Sequence, residues 1–445
     1  MTSRYSFADL FAGCGGLSLG LSEAGLIGQF AVERDPMAFE TFATNFLDGQ
    51  DSRYPFSWPG WLAKRAWDID ELLSRHSADL RELRGQIDIL AGGPPCQGYS
   101  FAGRRLEDDP RNLLFERYVQ IVDLLQPQAL VLENVPGMRV AHSRRNVVQL
   151  WAGDQKEPAH QASFYDRLKE RLLDVGYRTE AMLIDASRFG VPQRRSRLIA
   201  VGVREDLYEW LDGGLTRPFE LIEDARLEQL AELGLGAAIS AQAAISDLEI
   251  SGRTLVDCAD VQSGPGFKEL DYEGPRTEYQ RRMHAGMPGS MNSMRLARHR
   301  QDVQSRFARI LSECRQGVRM DESSRQSYGL KKHRIFPMAP GEPAPTITTL
   351  PDDVLHYAEP RILTVRESAR LQSFPDWFVF KGKFTTGGDR RTKECPRYTQ
   401  VGNAVPPLLA RAIGSALHML LEEVVVTKRV FGSPAAIAAA ACGSR

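Results

Sequence analysis

The first two hundred residues alternate short β-rich apolar runs with stretches of helical spacing. Residues 5–11, 29–33, 87–91, 129–133, 178–184 and 197–203 read as strands. Between them, 17–24, 36–46, 113–125 and 164–175 place apolar residues so that one stripe of a helix lies on a sheet. Strands alternating with such helices predict an α/β fold, a doubly wound, mostly parallel sheet covered on both faces.

That rhythm stops near residue 205. An acidic, Leu/Ala-rich helical stretch gives way to a loop-rich region with many Gly, Pro and Met, so 205–358 is expected to be an inserted domain. Between 276 and 319 ten arginines stand against three acids, Glu278, Asp302 and Glu313. Val303, Phe307, Ile310 and Leu311 share the helical spacing of a core-facing stripe. A solvated Arg face and a basic surface for an acidic partner both fit this run. Strong patterning returns after Glu359 in RILTVRESARLQSFPDWF and QVGNAVPPLLARAIGSALHMLL, the latter a helix entered through Pro406 and Pro407, where missing N–H groups cost nothing. Residues 424–445 read as a frayed, flexible tail, and no internal repeat is visible.

Composition narrows the class. The 445 residues are 42% hydrophobic, enough for a large core, and the net charge of -1 means that any nucleic-acid contact must come from a local basic patch. Six cysteines (Cys14, Cys96, Cys258, Cys314, Cys395 and Cys442) form no Cys-x-x-Cys pair and no Cys/His cluster, so neither a disulfide framework nor a metal site is expected. No basic, apolar leader opens the sequence, and no apolar run reaches the roughly 18 residues of a membrane helix. A soluble protein of a reducing, intracellular compartment is the expectation.

Four stretches carry candidate chemistry. DLFAGCGGLSLG follows the first strand and opens a helix, where Gly13, Gly15 and Gly16 let backbone approach a nucleotide-like ligand. The dinucleotide fingerprint needs glycine where Ser18 stands, so a pyrophosphate is disfavoured. Glu33, at the end of the second strand, is placed to accept ribose hydroxyls; a structural turn with a surface glutamate also fits these residues alone. In GGPPCQGYS, Pro94 and Pro95 stiffen a turn that presents Cys96 just past the carboxyl end of a strand, the ligand edge of an open α/β sheet. A thiolate nucleophile there needs a lowered pKa or a base. LENVPG brings Glu133 to the same edge, where burial would let its carboxyl hold a proton. QRRSRLIAVG delivers Arg195 and Arg197 into a strand whose alternation puts both on one face, for surface ion pairing or for anchoring a polar ring.

With AVERD, WDID, RESARLQSFPD and QVGNAVPP, these segments in this order resemble the C5-cytosine-specific DNA methyltransferase family over nearly the whole chain except the inserted region and the tail. The resemblance implies transfer of a methyl group from S-adenosylmethionine to carbon 5 of a cytosine rotated out of double-stranded DNA. Cys96 matches the nucleophile that adds to C6. Glu133 matches the proton donor to N3, and Arg195 and Arg197 the arginines that hold the cytosine carbonyl and the carboxyl network, with Arg197 toward O2. For the cofactor, Phe11 matches the contact near adenine, Gly13 and Gly15 the passage of the methionine moiety, Glu33 the ribose acid and Asp68 the adenine amino contact, although Asp70 stands close by. Pro94, Asn403 and Val405 complete the implied cofactor set. FAGRRLEDDPRN matches a loop that closes over the flipped base.

The implied organisation is a catalytic domain of 1–204 plus 359–423, a target-recognition domain of 205–358 and a tail of 424–445. Implied context is a prokaryotic cytoplasm at the nucleoid, a monomer off the membrane, and either an orphan enzyme or one with a companion restriction endonuclease. Rival readings are a tRNA methyltransferase, whose Cys-Phe-Thr signature is absent, a catalytically silent DNA-binding module, and a nicotinamide-dependent oxidoreductase, disfavoured by Ser18.

Overall fold

A computed structural model of the chain describes residues 5–48, 53–95, 114–139, 163–236, 238–330, 335–387, 390 and 393–432. Six strands form the main sheet: β1 (Ser6–Leu10), β2 (Ile27–Val32), β3 (Ile89–Gly92), β4 (Ala129–Asn134), β5 (Tyr177–Asp185) and β6 (Ser196–Arg204). All lie close to their expected bounds. Their order is β2-β1-β3-β4-β6-β5, with β2, β1, β3 and β4 parallel and β6 antiparallel to both of its neighbours.

The helices flanking these strands are α1 (Gly16–Glu23), α2 (Pro36–Phe46), α3 (Ile69–Glu82), α4 (Leu114–Leu125) and α5 (Phe164–Asp174). Beyond the sheet come α6 (Glu205–Tyr208), α7 (Arg217–Leu233), α8 (Ala241–Ile245), a hairpin of β7 (Leu255–Asp257) and β8 (Lys268–Leu270), α9 (Glu278–His284), α10 (Gln301–Glu313), α11 (Glu322–Ser327), the paired β9 (Phe336–Pro337) and β10 (Val354–Leu355), α12 (Val365–Leu371), α13 (Arg397–Asn403) and α14 (Pro407–Phe431).

Strand alternation builds two cores. Phe7, Ala31, Ile89, Val131 and Val201 point to one face, which α1, α2, α7 and α14 cover; Ala8, Phe30, Leu90, Leu130 and Ala200 point to the other, under α3, α4 and α5. Helix α14 packs closely on α1 because both carry glycine at the contact. A Cβ on Gly20 would overlap Pro407 O and the Ala410 Cβ, and one on Gly414 would lie 2.8 Å from the Ala24 Cβ.

Packing adds to the spacing at two places. Helix α8 packs on α9, with Thr277 Oγ1 donating to Ala243 O at 2.6 Å, whereas Leu207, Phe219, Leu221, Ile222 and Ala225 lie in the same core as Ala410 and Ile413. Arg217–Glu423 and Arg411–Glu232, both at 2.5 Å, join α7 to α14. The apolar stripe of this stretch has a partner only when the last helix folds back over the sheet. That helix continues to Phe431, past the point where the tail is expected to start; residues 433–445 lie outside the described residues. The inserted region proper has cores of its own, one around Phe307, Ile310, Met320, Ile335 and Leu355 and one around Leu248, Leu270, Met291 and Met294. Val303, Phe307, Ile310 and Leu311 of α10 face the first of these, as their spacing predicts.

Candidate active site

Register sets the stage. Leu10 pairs with Val32 and with Gly92, and Gly92 pairs with Leu132, so these residues form one row across four parallel strands. The next residues, Phe11, Glu33, Gly93 and Glu133, make the following row at the carboxyl edge. Because β6 is antiparallel, with Leu198 opposite Asn134, its start and the preceding Arg195 come to the same edge. Glu133 shares the sheet face of Val131, the side of α1 and α14.

On the cofactor side, Phe11, Gly13 and Gly15 have φ of 61°, 58° and 96°. Phe11 is a non-glycine residue held in the left-handed region at a cost of about 1–3 kcal/mol, the kind of strain that collects at ligand sites. Nothing lies within 4 Å of where a Cβ on Gly13 would stand, whereas one on Gly15 would lie 2.5 Å from the Phe46 ring. Gly13 thus borders open space and Gly15 closes the turn onto α2. Gly13 N donates to Glu33 Oε2 at 3.0 Å and Asp35 N donates to Oε1 at 2.7 Å. Each carboxylate oxygen keeps lone-pair capacity for a ribose hydroxyl. Burial raises the Glu33 pKa against these two backbone donors. The residues present therefore fit an adenosine-type cofactor: a clear glycine shelf, an oriented acid and no phosphate-binding fingerprint.

Ser18, which in the sequence counts only against a dinucleotide, holds the strand to the helix that follows it. Its Oγ donates to the buried Asp9 Oδ2 at 2.6 Å. Burial pushes the Asp9 carboxyl up to about 7, and Asp9 Oδ1 is buried without a hydrogen-bond partner among the described residues. Asp35 is another residue that the sequence pattern does not single out. It caps α2 by accepting from Met37 N and Ala38 N, and its Oδ2 accepts from Cys395 N at 2.9 Å. The Asp-Pro step at 35–36 is the available signal. Asp68 caps α3 by accepting from Asp70 N, and Trp67 N donates to Glu33 O at 2.8 Å, which brings this stretch beside the ribose acid. Asp70 is ion-paired with Arg117 at 2.5 Å, leaving Asp68 the better candidate of the two.

The late segment reaches the glycine turn by close packing. A Cβ on Gly16 would overlap Val405 O, and Val405 is buried, while the Asn403 side chain is exposed. Burial pushes the Cys14 thiol up to about 12, so it is a packing group.

At the catalytic end, Cys96 and the 101–112 loop lie outside the described residues. The turn that leads to Cys96 is described as far as Pro95. Asn134 Nδ2 donates to Pro94 O at 2.9 Å, and a Cβ on Gly93 would lie 3.5 Å from Glu133 Oε2, so the turn abuts the glutamate. Arg197 Nε stands 2.6 Å from Glu133 Oε1, with both side chains 12% exposed.

Arg195 lies close enough to Arg197 and Glu133 to feel both charges. It precedes β6, so strand alternation does not govern it, and its 1% exposed side chain reaches back to carbonyls: Nη1 donates to Ile347 O at 3.2 Å, and Nη2 donates to Gly402 O and Ala404 O at 2.9 and 3.0 Å. Burial and the Arg197 charge lower its pKa, opposed by Glu133. Arg195 thus braces the 402–404 turn from the catalytic end of the site.

Among the described residues no group of three or more acids, histidines and cysteines is arranged to hold a metal, and no single helix is long and apolar enough to cross a membrane.

Comparison with known proteins agrees with this geometry. The family model for C-5 cytosine-specific DNA methylase matches residues 5–419. The chain is 32% identical to the Type II methyltransferase M.DdeI of Desulfomicrobium norvegicum, covering 94% of this chain and 89% of that protein. It is 29% identical to the Type II methyltransferase M1.HphI of Haemophilus parahaemolyticus, covering 93% and 86%. A crystal structure described as a prophage-encoded DNA modification methyltransferase of E. coli shares the fold, with a TM-score of 0.61 and 23% identity over 94% of this chain and all of that one. The chain belongs to the C-5 cytosine-specific DNA methylase family.

Proposed function

We propose that this protein methylates carbon 5 of a cytosine swung out of a specific double-stranded DNA sequence, through a transient bond between Cys96 and C6. The observation that carries the site assignment is the meeting of three sequence-distant elements at one sheet edge: the stiff turn before Cys96, Glu133, and Arg197 2.6 Å from that carboxylate.

Cytosine C5 is a weak nucleophile, and a base inside a duplex is out of reach. Flipping costs a few kcal/mol and brings the ring to the turn that presents Cys96. The thiolate adds to C6, and a proton from Glu133 to N3 stabilises the charge that the addition builds toward N3 and O2. The Arg197 guanidinium holds Glu133 in place and reaches O2 of the ring. S-adenosylmethionine supplies the methyl group that C5 takes up. A base then removes the C5 proton and the thiolate leaves. Phe11, Gly13, Gly15, Glu33, Asp68, Pro94, Asn403 and Val405 hold the cofactor, and Arg195 completes the charge network around Glu133 while bracing the 402–404 turn.

The inserted region, 205–358, reads the DNA. Its arginine surplus supplies phosphate contacts and major-groove forks, although Glu278, Asp302 and Glu313 already pair with Arg281, Arg282, Arg300 and Arg309. The Type II relatives favour a cytoplasmic role as the protective partner of a restriction endonuclease. Bisulfite sequencing of DNA from a host expressing the protein is expected to show one recurring methylated sequence, lost in Cys96→Ser. Methylation that persists in the serine variant overturns the mechanism.

A further inference from the structure

The inserted region is tied to the cofactor half of the site by a buried charge. Arg397, the first residue of α13, is 1% exposed and its guanidinium is enclosed on all sides. Nε donates to Gly382 O at 2.9 Å, Nη1 donates to Ser293 Oγ at 3.0 Å and to Asp260 Oδ2, and Nη2 donates to Asp260 Oδ1 at 3.1 Å. The Phe384 ring lies 4.3 Å from the guanidinium carbon. Asp260 belongs to the turn between β7 and β8 in the inserted region. Ser293 belongs to the same region and sits at φ 71°, a strained position for a serine. Arg295 strengthens the junction by lying between Phe267 of the turn, at 4.3 Å, and Phe384, at 3.8 Å. A buried ion pair repays its desolvation poorly as a source of stability, so it is better explained by the arrangement it fixes.

That arrangement leads to the cofactor. Helix α13 starts at Arg397 and ends at Asn403, and the Gly402 and Ala404 carbonyls at its end are held by Arg195. A continuous path therefore runs from the β7–β8 hairpin through Asp260, Arg397 and one short helix to the turn carrying Asn403 and Val405.

We infer that Asp260 is a positioning residue that couples seating of the inserted region on DNA to the cofactor-binding position of the 403–405 turn. This rests on the functional reading above. Coupling of this kind is reciprocal: DNA tightens cofactor binding by the factor by which cofactor tightens DNA binding, and about fivefold or more is the usual range.

The test measures the affinity of full-length protein for S-adenosylhomocysteine with and without an unmethylated duplex carrying the mapped site. Wild type and Asp257→Asn, which removes an exposed acid from the same hairpin, are expected to bind at least about fivefold more tightly with DNA. In Asp260→Asn the ratio is expected to fall toward one, with KM for the cofactor rising more than kcat falls, and Asp260→Glu is expected to recover part of the ratio. A purely structural role would lower Tm and leave the ratio intact, which overturns the inference. If Asp260→Asn does not fold, hydrogen exchange in wild type decides: DNA alone is expected to slow exchange of the α13 amides, and unchanged exchange refutes the coupling. Wild type that binds the cofactor product but methylates no DNA overturns the functional reading instead.

Discussion

At the scale of single residues, the site depends on a few side chains whose neighbours define their work. Glu133 and Arg197 form a pair at the ligand edge. Arg197→Lys keeps the charge but loses the planar fork, and kcat/KM is expected to fall by about two orders of magnitude in a methyl-transfer assay. Asp9 makes a different prediction. Its folded pKa of about 7 stands above the ordinary carboxylate value because of burial. Between about pH 4 and 7 the folded state holds a proton that the unfolded chain has lost, so this group's stabilising contribution is complete at low pH and is lost as pH rises through 7. Asp9→Asn is expected to remove that decline, raising Tm at pH 8 relative to wild type while changing it little at pH 4. Equal Tm differences at the two pH values would contradict this. Glu33, Glu133 and Arg197 are legible because each ends or begins a recognisable strand. The work of Ser18 is not, since its partner Asp9 is inside the sheet and nothing in the spacing reveals a hydrogen bond between a strand and the helix after it. The Arg195 bonds to the Ile347, Gly402 and Ala404 carbonyls are hidden for a related reason, since they join segments far apart in sequence.

At the scale of elements, the alternating apolar runs mark the six strands and four of the helices correctly, because the inner strands bury both faces, the edge strand β5 alternates, and each of these helices lays one stripe on the sheet. Helix α3 escapes that pattern, although its cap Asp68 and its apolar Ile69, Leu72 and Leu73 are signals of it. Helix α7 reads as part of the insertion because it follows the last strand, and only the return of α14 shows what its stripe covers. The same return depends on glycine. Gly20→Ala would drive a methyl group into Pro407 O and Ala410, and a loss of about 1–3 kcal/mol is expected in denaturant unfolding, with cofactor affinity falling as the 403–405 turn shifts. An unchanged midpoint would show that α1 and α14 part easily.

At the scale of the whole molecule, the inserted region is joined to the sheet domain by buried charge. Arg370 of α12 is fully buried and bonded to Asp376 Oδ1 at 2.8 Å and to Asp247 Oδ1 at 3.0 Å, while Asp376 also meets His284 of α9 at 2.9 Å. Arg370→Ala takes the shared guanidinium from two buried carboxylates and is expected to cost about 3–5 kcal/mol by denaturant titration. This architecture is only partly legible: RESARLQSFPD stands out as a motif and contains both Arg370 and Asp376, but Asp247 comes from before the hairpin, and no local pattern links it to them.

The whole mechanism turns on a bond between a protein sulfur and the target pyrimidine. Incubating the protein with S-adenosylmethionine and a duplex whose target cytosine carries fluorine at C5 blocks proton loss, so the adduct should accumulate. The predicted result is a protein–DNA species that survives denaturing electrophoresis, with Cys96 carrying the modified base by peptide mass spectrometry, and no such species from Cys96→Ser. Turnover of the ordinary duplex together with no adduct on the fluorinated one, or an adduct on another cysteine, would contradict it.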